Sequence, residues 1–450
     1  MRILSMPLIV AALLVGCRED PEPSPPDSGT SQQDSGIPGD DAGVPQDDAG
    51  VPGNDAGIPQ DDAGVPEDPL PSGPPVPQGP PNVPEFDPAF PGQTRVPAIQ
   101  TKTPIKVTEI ASGFRNPWAI AFLPDQRMLV TEKATGSLFI VTQQGAKSPK
   151  ISGLPAVDAR GQGGLLDVEV GPDYATSQLI YWTYSEPRSG GNGLAVARAR
   201  LVDGAQPRVE NVQVIFRMMP TLESTMHSGG RMVFTPDGKL FVTLGERSIL
   251  EGRVQAQDVK SHFGKVVRIN PDGTVPQDNP YLSNPDAKPE IWSVGHRNVL
   301  AGALDSQNRL WTVEMGPKGG DEVNLTLAGK DYGWPTIGYG EEYSGAPIHQ
   351  SPQAPGMEQP VYYWDPVIAP SGMTFYSGTL FPEWRNNMFI GGLAAQTLVR
   401  LMLRNDRVVG EEHLLKNLNA RIREVVQGPD GALYLLTDAT NGKVLKVTPQ

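Results

Sequence analysis

The feature that most constrains the fold of this 450-residue chain is a two-strand unit that recurs six times between residues 101 and 450. Each copy holds an apolar strand, a tight turn such as Pro236-Asp237-Gly238, and a second apolar strand. The copies span residues 119–132, 165–184, 230–246, 300–316, 371–392 and 423–438. Their spacing is about 58 residues, which is enough for one four-stranded sheet with its loops.

This repeat predicts an all-β fold, a six-bladed β-propeller of four-stranded blades over residues 101–450. An array of β-sandwiches is the alternative, but it does not explain a regular repeat without linkers between the copies. We expect residues 105–110 to pair beside the last blade, which ends near Val447, and so to close the ring. Closure removes the sheet edges with which other chains would pair.

Residues 1–16 have the features of a bacterial lipoprotein signal peptide. Arg2 gives a positive start, and the apolar run after it is too short to span a bilayer. The run ends in Leu14-Val15-Gly16-Cys17, and Cys17 is the only cysteine, so no intrachain disulfide can form. A secretory signal with a chance cysteine is the alternative. We predict that Cys17 is lipidated and anchors the protein in a bacterial cell envelope. Arg18 at the second mature position favours the outer membrane.

Residues 17–100 are predicted to be a disordered linker. Four seven-residue units, DDAGVPQ, DDAGVPG, NDAGIPQ and DDAGVPE, follow one another within it. Each unit has one aliphatic residue beside Gly and Pro, too little apolar surface to offset the entropy cost of folding. Residues 18–100 carry 16 acidic and two basic residues, whereas residues 101–450 carry 35 and 34. The folded part is therefore nearly neutral, and we expect it to bind no nucleic acid and to meet the membrane through the lipid only.

Polar residues precede the first strand of several copies. In a propeller the first strand of each blade lines the central channel, so these positions converge at one mouth of that channel. They are Gln162, His227, Arg297, Asn298, Arg421 and Arg423. Each alone would more often be structural, but six unrelated structural residues need not fall in one register. Arginines without matching carboxylates predict an anionic ligand with several carboxylates or phosphates.

Several segments resemble the soluble PQQ-dependent aldose sugar dehydrogenases, six-bladed quinoproteins related to soluble glucose dehydrogenase. The segments are GQGGLLDVEVGP, HSGGRMVFTPDGKLFVTLGE, GKVVRINPDGTVPQDNP, IWSVGHRN, EMGPKGGDEVN, KDYGWP and RIREVVQGPDGALYLLTD, all within residues 105–450. The resemblance implies an enzyme that oxidises aldose sugars at the anomeric carbon to lactones. It also implies hydride transfer to PQQ and an external electron acceptor.

The resemblance assigns roles to residues that match the family's motifs. His227 in HSGGR corresponds to the general base, a role that suits an imidazole titrating near neutral pH. The cofactor contacts correspond to Gln162, Arg297, Asn298, Tyr343, Arg421 and Arg423. The main-chain carbonyls of Gly316 and Pro317 correspond to ligands of a catalytic Ca²⁺, and Glu322 with Tyr332 to a second, structural Ca²⁺ site.

Two positions depart from the family's pattern. Some relatives have a lysine after the Gly-Leu of the fifth copy, where this chain has Ala394, so one cofactor carboxylate would lose a charge partner. Met226 precedes His227 where the glucose enzyme has a carboxylate, so the preferred sugar does not carry over. Two other functions stay open at this stage: a calcium-dependent propeller lactonase, and a non-catalytic surface propeller that binds glycan or protein.

Overall fold

The computed structural model describes residues 69–450, which belong to one compact unit, Asp68–Gln450. The predicted signal peptide, the lipidated Cys17 and the acidic repeats lie outside the described residues. Within residues 69–450, no helix combines the length and the apolar character needed to cross a membrane.

Six antiparallel sheets follow one another along the chain, which confirms the predicted six-bladed propeller. After β1 (Ile105–Phe114), blade 1 holds β2 (Pro117–Phe122), β3 (Met128–Glu132) and β4 (Ser137–Val141). Blade 2 holds β5 (Leu165–Val170), β6 (Leu179–Arg188), β7 (Gly191–Val202) and β8 (Arg208–Arg217). Blade 3 holds β9 (Gly229–Phe234), β10 (Leu240–Leu244), β11 (Val266–Ile269) and β12 (Ile291–Ser293). Blade 4 holds β13 (Val299–Leu304), β14 (Leu310–Glu314), β16 (Asp321–Leu325) and β18 (Tyr362–Trp364), with a small ribbon of β15 (Lys318–Gly319) and β17 (Gly340–Glu341) in its loops.

The last two blades complete the ring. Blade 5 holds β19 (Pro370–Phe375), β20 (Met388–Gly392), β21 (Thr397–Arg404) and β22 (Arg407–Leu414). Blade 6 holds β23 (Ile422–Gln427), β24 (Leu433–Thr437) and β25 (Gly442–Pro449), and β1 is its fourth strand. The helices are single turns: α1 (Tyr174–Ser177), α2 (Leu250–Arg253) and two 3₁₀ turns (Pro382–Trp384 and Lys416–Leu418).

The ring closes as the sequence predicts. β1 pairs antiparallel with β25, with Val107 opposite Val447, so the first strand of the propeller seals its last blade. The first strand of each blade packs beside the first strand of the next, and β23 returns to β2. These six strands surround the axis, which is why the residues next to their starts define one mouth of the channel.

Apolar packing between the blades holds the ring together. The second strands β3, β10, β14, β20 and β24 are buried along their whole length, as expected for strands covered on both faces. Trp182, Trp311, Trp364 and Trp384 are among the largest fully buried side chains. Burial of a large apolar side chain contributes about 1.5–3 kcal/mol relative to leaving it exposed.

The Pro236-Asp237-Gly238 turn also forms as predicted: Thr235 N donates to Lys239 O (2.9 Å), and Gly238 has φ +77°.

The linker prediction does not hold for residues 69–100, which we call the N-terminal strap. Gln93 is fully buried, and its Nε2 donates to Pro360 O (2.8 Å) beside blade 4. Ala98 forms a parallel bridge with Glu411 of β22, and Ile99 N donates to Glu411 O (2.9 Å). The structural reason is composition: the strap contains Phe86 and Phe90 beside Val76, Val83 and Val96, whereas each acidic repeat has one Val or Ile and no aromatic residue. The argument from low apolar content therefore does not extend to residues 69–100.

Candidate functional site

The site lies at one mouth of the channel and is built from two sets of residues. One set lies just before the first strand of a blade or within its first two residues, and the other follows the second strand. The two sets meet because the strands form an antiparallel hairpin, which brings the start of one beside the end of the other. Main-chain hydrogen bonds join four such pairs: Lys133 N to Asn116 O (3.0 Å), Met315 N to Asn298 O (3.1 Å), Leu393 N to Ala369 O (2.9 Å) and Asp438 N to Arg421 O (2.8 Å).

These pairs surround a cavity of about 340 Å³. Its lining includes Asn116, Trp118, Lys133, Gln162, Ser228, Gly229, Leu300, Met315, Ala369, Leu393, Arg421, Arg423 and Asp438. Contributions from all six blades are present, so the cavity exists only in the closed ring. Its size falls within the usual range for small-molecule and cofactor sites.

His227 sits beside this cavity in a backbone arrangement that needs glycine next to it. Its φ is +43°, and Gly229, which lines the cavity, has φ +67°. A Cβ on Gly229 would lie 2.6 Å from Thr243 O, so no other residue fits there without a shift of the backbone. Two predicted residues hold this segment: Gln162 Oε1 accepts His227 N (2.9 Å), and Asn298 Oδ1 accepts Gly229 N (3.1 Å).

The His227 ring is paired with Glu246, a residue that the sequence analysis did not identify. Glu246 follows β10, and its Oε1 lies 2.9 Å from His227 Nδ1. Its other oxygen, Oε2, accepts Ser248 N (2.6 Å). Because a carboxylate accepts hydrogen bonds, Nδ1 carries the proton and Nε2 is left with its lone pair. Burial lowers the pKa of His227 below its usual 6.5, Glu246 opposes that effect, and the charge of Arg297 adds to it.

The cavity wall contributed by blades 1 and 6 is positively charged. Arg423 Nη2 and Arg421 Nη2 both contact Asp438 Oδ2, at 2.8 and 3.2 Å. Lys133, also missed by the sequence analysis, adds a third cation. Asp438 remains ionised because the neighbouring arginines and Asn116 outweigh the effect of burial and lower its pKa to about 2. Three cations therefore face a single carboxylate in the lining.

Arg297 lies deeper, between the cavity and a neighbouring cleft. Its Nη1 donates to Met315 O (2.9 Å) and Gly316 O (2.7 Å), and its main-chain N donates to Glu314 Oε2 (2.6 Å). Its Nε has no hydrogen-bond partner among the described residues. The same is true of two other buried donors, Asn298 Nδ2 and Arg423 Nε. Other buried donors without partners, such as Trp182 Nε1 and Arg247 Nε, lie elsewhere among the described residues, and these three are set apart by their place beside the cationic cavity. Because an unsatisfied buried donor costs stability, they suit an anionic or carbonyl-bearing ligand.

The predicted metal residues gather in that cleft, which has a volume of about 20 Å³. Gly316, Pro317, Glu322 and Tyr332 all line it, together with Glu314. Burial, with Glu314 and Asp321 nearby, raises the pKa of Glu322 well above its usual value. Asn324 Nδ2 donates to both Glu314 and Glu322 (3.1 Å each), while Asn324 Oδ1 has no partner among the described residues. Residues 69–450 nevertheless contain no group of three or more His, Cys, Asp or Glu side chains arranged to hold a metal.

Two predicted residues are placed differently from what their roles suggest. The Tyr332 hydroxyl donates to Leu325 O (2.5 Å) and accepts a hydrogen bond from Leu327 N (2.8 Å). Because the hydroxyl is engaged in this way, only the main-chain carbonyl of Tyr332 is left as a metal ligand. Tyr343 is not brought to the cavity: its side chain is 73% exposed, and it is absent from the cavity lining. The missed residues Lys133, Glu246 and Asp438 share a signal, because each directly or nearly follows the second strand of a repeat.

The fold and the site define a class of protein: a six-bladed propeller with a cationic axial cavity beside a buried histidine–glutamate pair. A sequence profile of the glucose/sorbosone dehydrogenases matches residues 114–446, and the chain belongs to this family.

Individual relatives agree with that assignment. The aldose sugar dehydrogenase YliI of Escherichia coli K12 is 41% identical over 351 residues, which cover 77% of this chain and 93% of the relative. A crystal structure of a glucose dehydrogenase superposes with a TM-score of 0.73 at 46% identity, covering 76% of this chain and 99% of the other. The PQQ-bound form of an aldose sugar dehydrogenase from Streptomyces coelicolor superposes with a TM-score of 0.63 at 27% identity, covering 77% and 100%.

Proposed function

We propose that this protein is a quinoprotein dehydrogenase that oxidises aldose sugars at the anomeric carbon to lactones, with PQQ as its cofactor. The observation that carries the proposal is the set of buried donors without acceptors, Arg297 Nε, Asn298 Nδ2 and Arg423 Nε, beside a cavity with an excess of positive charge. PQQ is a quinone with three carboxylates, so it would supply the acceptors and the negative charge that these residues lack. The PQQ-bound relative supports the same cofactor.

When bound, PQQ supplies a two-electron acceptor for the hydride that leaves the anomeric carbon and passes the electrons on to an external acceptor. The protein's own part begins with His227. Its Nε2 takes the proton of the anomeric hydroxyl, because Nδ1 is already committed to Glu246. Glu246 holds the ring in that tautomer and stabilises the charge that the imidazole gains. Burial lowers the pKa of His227, which favours the unprotonated imidazole that a general base requires.

Other residues of the site position His227 or would bind the cofactor. Gln162 and Asn298 fix the loop that carries His227, and the cations Arg421 and Arg423 would bind carboxylates of the cofactor. Trp118 in the lining offers an apolar aromatic surface within the cavity.

Ca²⁺ is the second component of the proposal. The carbonyl oxygens of Gly316 and Pro317 would be ligands of a catalytic Ca²⁺, and Glu322 with the Tyr332 carbonyl of a structural one. The fit rests on oxygen atoms that lack a compensating cation: the buried Glu322 carboxylate and the unpartnered Asn324 Oδ1. Bound near the quinone, Ca²⁺ would act as a Lewis acid. Arg297 links the two proposed groups, since its Nη1 holds the Gly316 carbonyl.

We further propose that the enzyme works in the cell envelope. Lipidated Cys17 would anchor it, and the acidic repeats would hold the propeller away from the membrane.

The test is reconstitution. Protein prepared without cofactor is titrated with PQQ and Ca²⁺ while the absorbance spectrum is recorded, and dye reduction is then measured across a panel of aldoses. His227→Ala should keep PQQ binding and lose turnover by about 10²–10⁴-fold, the usual contribution of a general base. His413→Asn is the matched control, because His413 also pairs with a carboxylate, Glu411 (2.7 Å), but lies on the outer strand β22. PQQ binding without sugar-dependent dye reduction by the wild type would contradict the proposal.

A further inference from the structure

Lys133 occupies an unusual position in the cavity wall. It directly follows β3, and its main-chain amide is tied to Asn116 O (3.0 Å). Its carbonyl is packed against blade 2, where a Cβ on Gly164 would lie only 2.0 Å from Lys133 O. The stem of the side chain therefore starts from a fixed backbone. The ammonium group donates to Gly161 O (2.9 Å), next to Gln162, and the residue lines the cavity.

The charge balance of the cavity leaves Lys133 without a carboxylate partner. Asp438 is the one carboxylate in the lining, and its Oδ2 is shared by Arg421 and Arg423. The only hydrogen bond of the Lys133 ammonium to a described residue is the one to the Gly161 carbonyl, so two of its three N–H groups are available. Burial, and then the charge of Arg423, lowers the pKa of Lys133. The charge of Asp438 opposes both effects, and an anion in the cavity would oppose them further, because a nearby negative charge favours the charged ammonium.

A purely structural role is the competing explanation. In that case the ammonium would serve only to hold the Gly161 carbonyl and fix the loop before Gln162. A neutral hydrogen-bond donor would do this equally well, since a carbonyl does not need a charged partner. The two explanations therefore differ in whether the charge matters or only the donor.

We propose that Lys133 is a cofactor-binding residue, whose ammonium pairs with a carboxylate of the anionic quinone while one N–H holds the Gly161 carbonyl. The assignment rests on the proposed function. It also offers a reason for the departure at Ala394: blade 1 supplies a cation to the same cavity that Leu393, the neighbour of Ala394, lines from blade 5. The cavity then offers three cations to a ligand with three carboxylates, with Asp438 orienting two of them.

Three variants separate the explanations. Lys133→Gln keeps a donor for Gly161 O but removes the charge, Lys133→Met removes both, and Lys133→Arg keeps both. Lys147→Met is the control, because Lys147 lies in the same blade but pairs with Glu132 (3.0 Å) and is absent from the cavity lining. The readout is the PQQ dissociation constant, measured in calcium buffer by quenching of tryptophan fluorescence and by equilibrium dialysis at several salt concentrations. The melting temperature without cofactor is measured alongside.

We expect Lys133→Gln and Lys133→Met to bind PQQ about 10- to 150-fold more weakly than the wild type, the range for a lost hydrogen bond to a charged group. Both should show a weaker dependence on salt, and Lys133→Arg and Lys147→Met should bind within about threefold of the wild type. Placing a lysine at the other wall, Lys133→Gln with Ala394→Lys, should recover part of the affinity.

Lys133→Gln that binds PQQ as tightly as the wild type, with unchanged salt dependence, would overturn the assignment, because the donor alone would then suffice. A wild type that does not bind PQQ at all would instead contradict the proposed function. If Lys133→Met does not fold, Lys133→Gln against Lys133→Arg decides the question without it.

Discussion

Asp365, which directly follows β18, is the residue whose loss should release the N-terminal strap. Its Oδ2 accepts the backbone amides of Asn82 (2.8 Å) and Val83 (3.0 Å), and its Oδ1 accepts the side-chain amide of Asn82 (2.5 Å). Val83 is buried, so its amide would have no water to replace a lost acceptor, whereas Asn82 is partly exposed. Asp365→Ala removes both acceptor oxygens and so all three hydrogen bonds at once.

The cost can be worked from these contacts. A hydrogen bond to a charged group contributes about 1.5–3 kcal/mol. Water would replace much of what Asn82 loses, so we count one full bond for Val83 and a fraction of the other two. The closed strap should lose about 2–4 kcal/mol, with the usual non-additivity of neighbouring bonds. Since a factor of ten corresponds to about 1.4 kcal/mol, opening should become about 30- to 1000-fold more frequent.

Hydrogen–deuterium exchange of peptides covering residues 80–96 measures that opening directly. Asp365→Asn is the informative second variant, because its amide oxygen can still accept the two backbone amides and its NH₂ can face a flipped Asn82 side chain. It should cost only about 1 kcal/mol. Glu210→Ala is the control, since its ion pairs with Arg200 and Arg208 in blade 2 are partly exposed and do not involve the strap. Equal exchange in wild type and Asp365→Ala would refute the conclusion that this carboxylate holds the strap.

Three further predictions concern the site and the location of the protein. Glu246→Gln should lower turnover by about 10- to 10⁴-fold through loss of the His227 tautomer and orientation. Because Glu246 raises the pKa of His227 against the effect of burial, the acidic limb of the kcat/KM profile should also move to lower pH, and an unmoved limb would exclude this coupling. Chelation of Ca²⁺ should abolish dye reduction and lower the melting temperature, because the ion would bind only the folded state. Added Ca²⁺ should reverse both effects. Full activity and an unchanged melting curve in excess chelator would argue against both metal sites. Cys17→Ser should leave the membrane fraction or stay unprocessed, and a processed variant that still sediments with membranes would show that no lipid on Cys17 is needed.

The repeat was enough to predict most of the fold and part of the candidate site from the sequence. Six copies of one strand–turn–strand unit determine the number of blades, and the pairing of β1 with β25 follows from the need to close the ring. The repeat also predicted that Gln162, Arg421 and Arg423 meet at one mouth of the channel, where all three line the cavity, because equivalent positions in a symmetric ring meet at its axis. Tyr343, which the resemblance assigned to the cofactor, lies outside the repeat in an exposed loop and is not brought to the cavity, because loop residues share no register. The linker prediction was wrong for the strap for a different reason: the apolar content was judged over residues 17–100 as a whole, so the strap was grouped with the acidic repeats.

The residues that were missed follow from the same symmetry once the hairpin is considered as a whole. An antiparallel hairpin returns to the edge where it began, so a residue just after the second strand must lie beside the residue just before the first. Lys133, Glu246 and Asp438 occupy such positions after β3, β10 and β24. Two of them are the acids that orient the residues of the first set, since Glu246 contacts His227 and Asp438 contacts Arg423. The third, Lys133, is a cation without a carboxylate partner in the cavity lining. This is the physical reason for proposing that it binds the ligand and does not merely support the cavity wall.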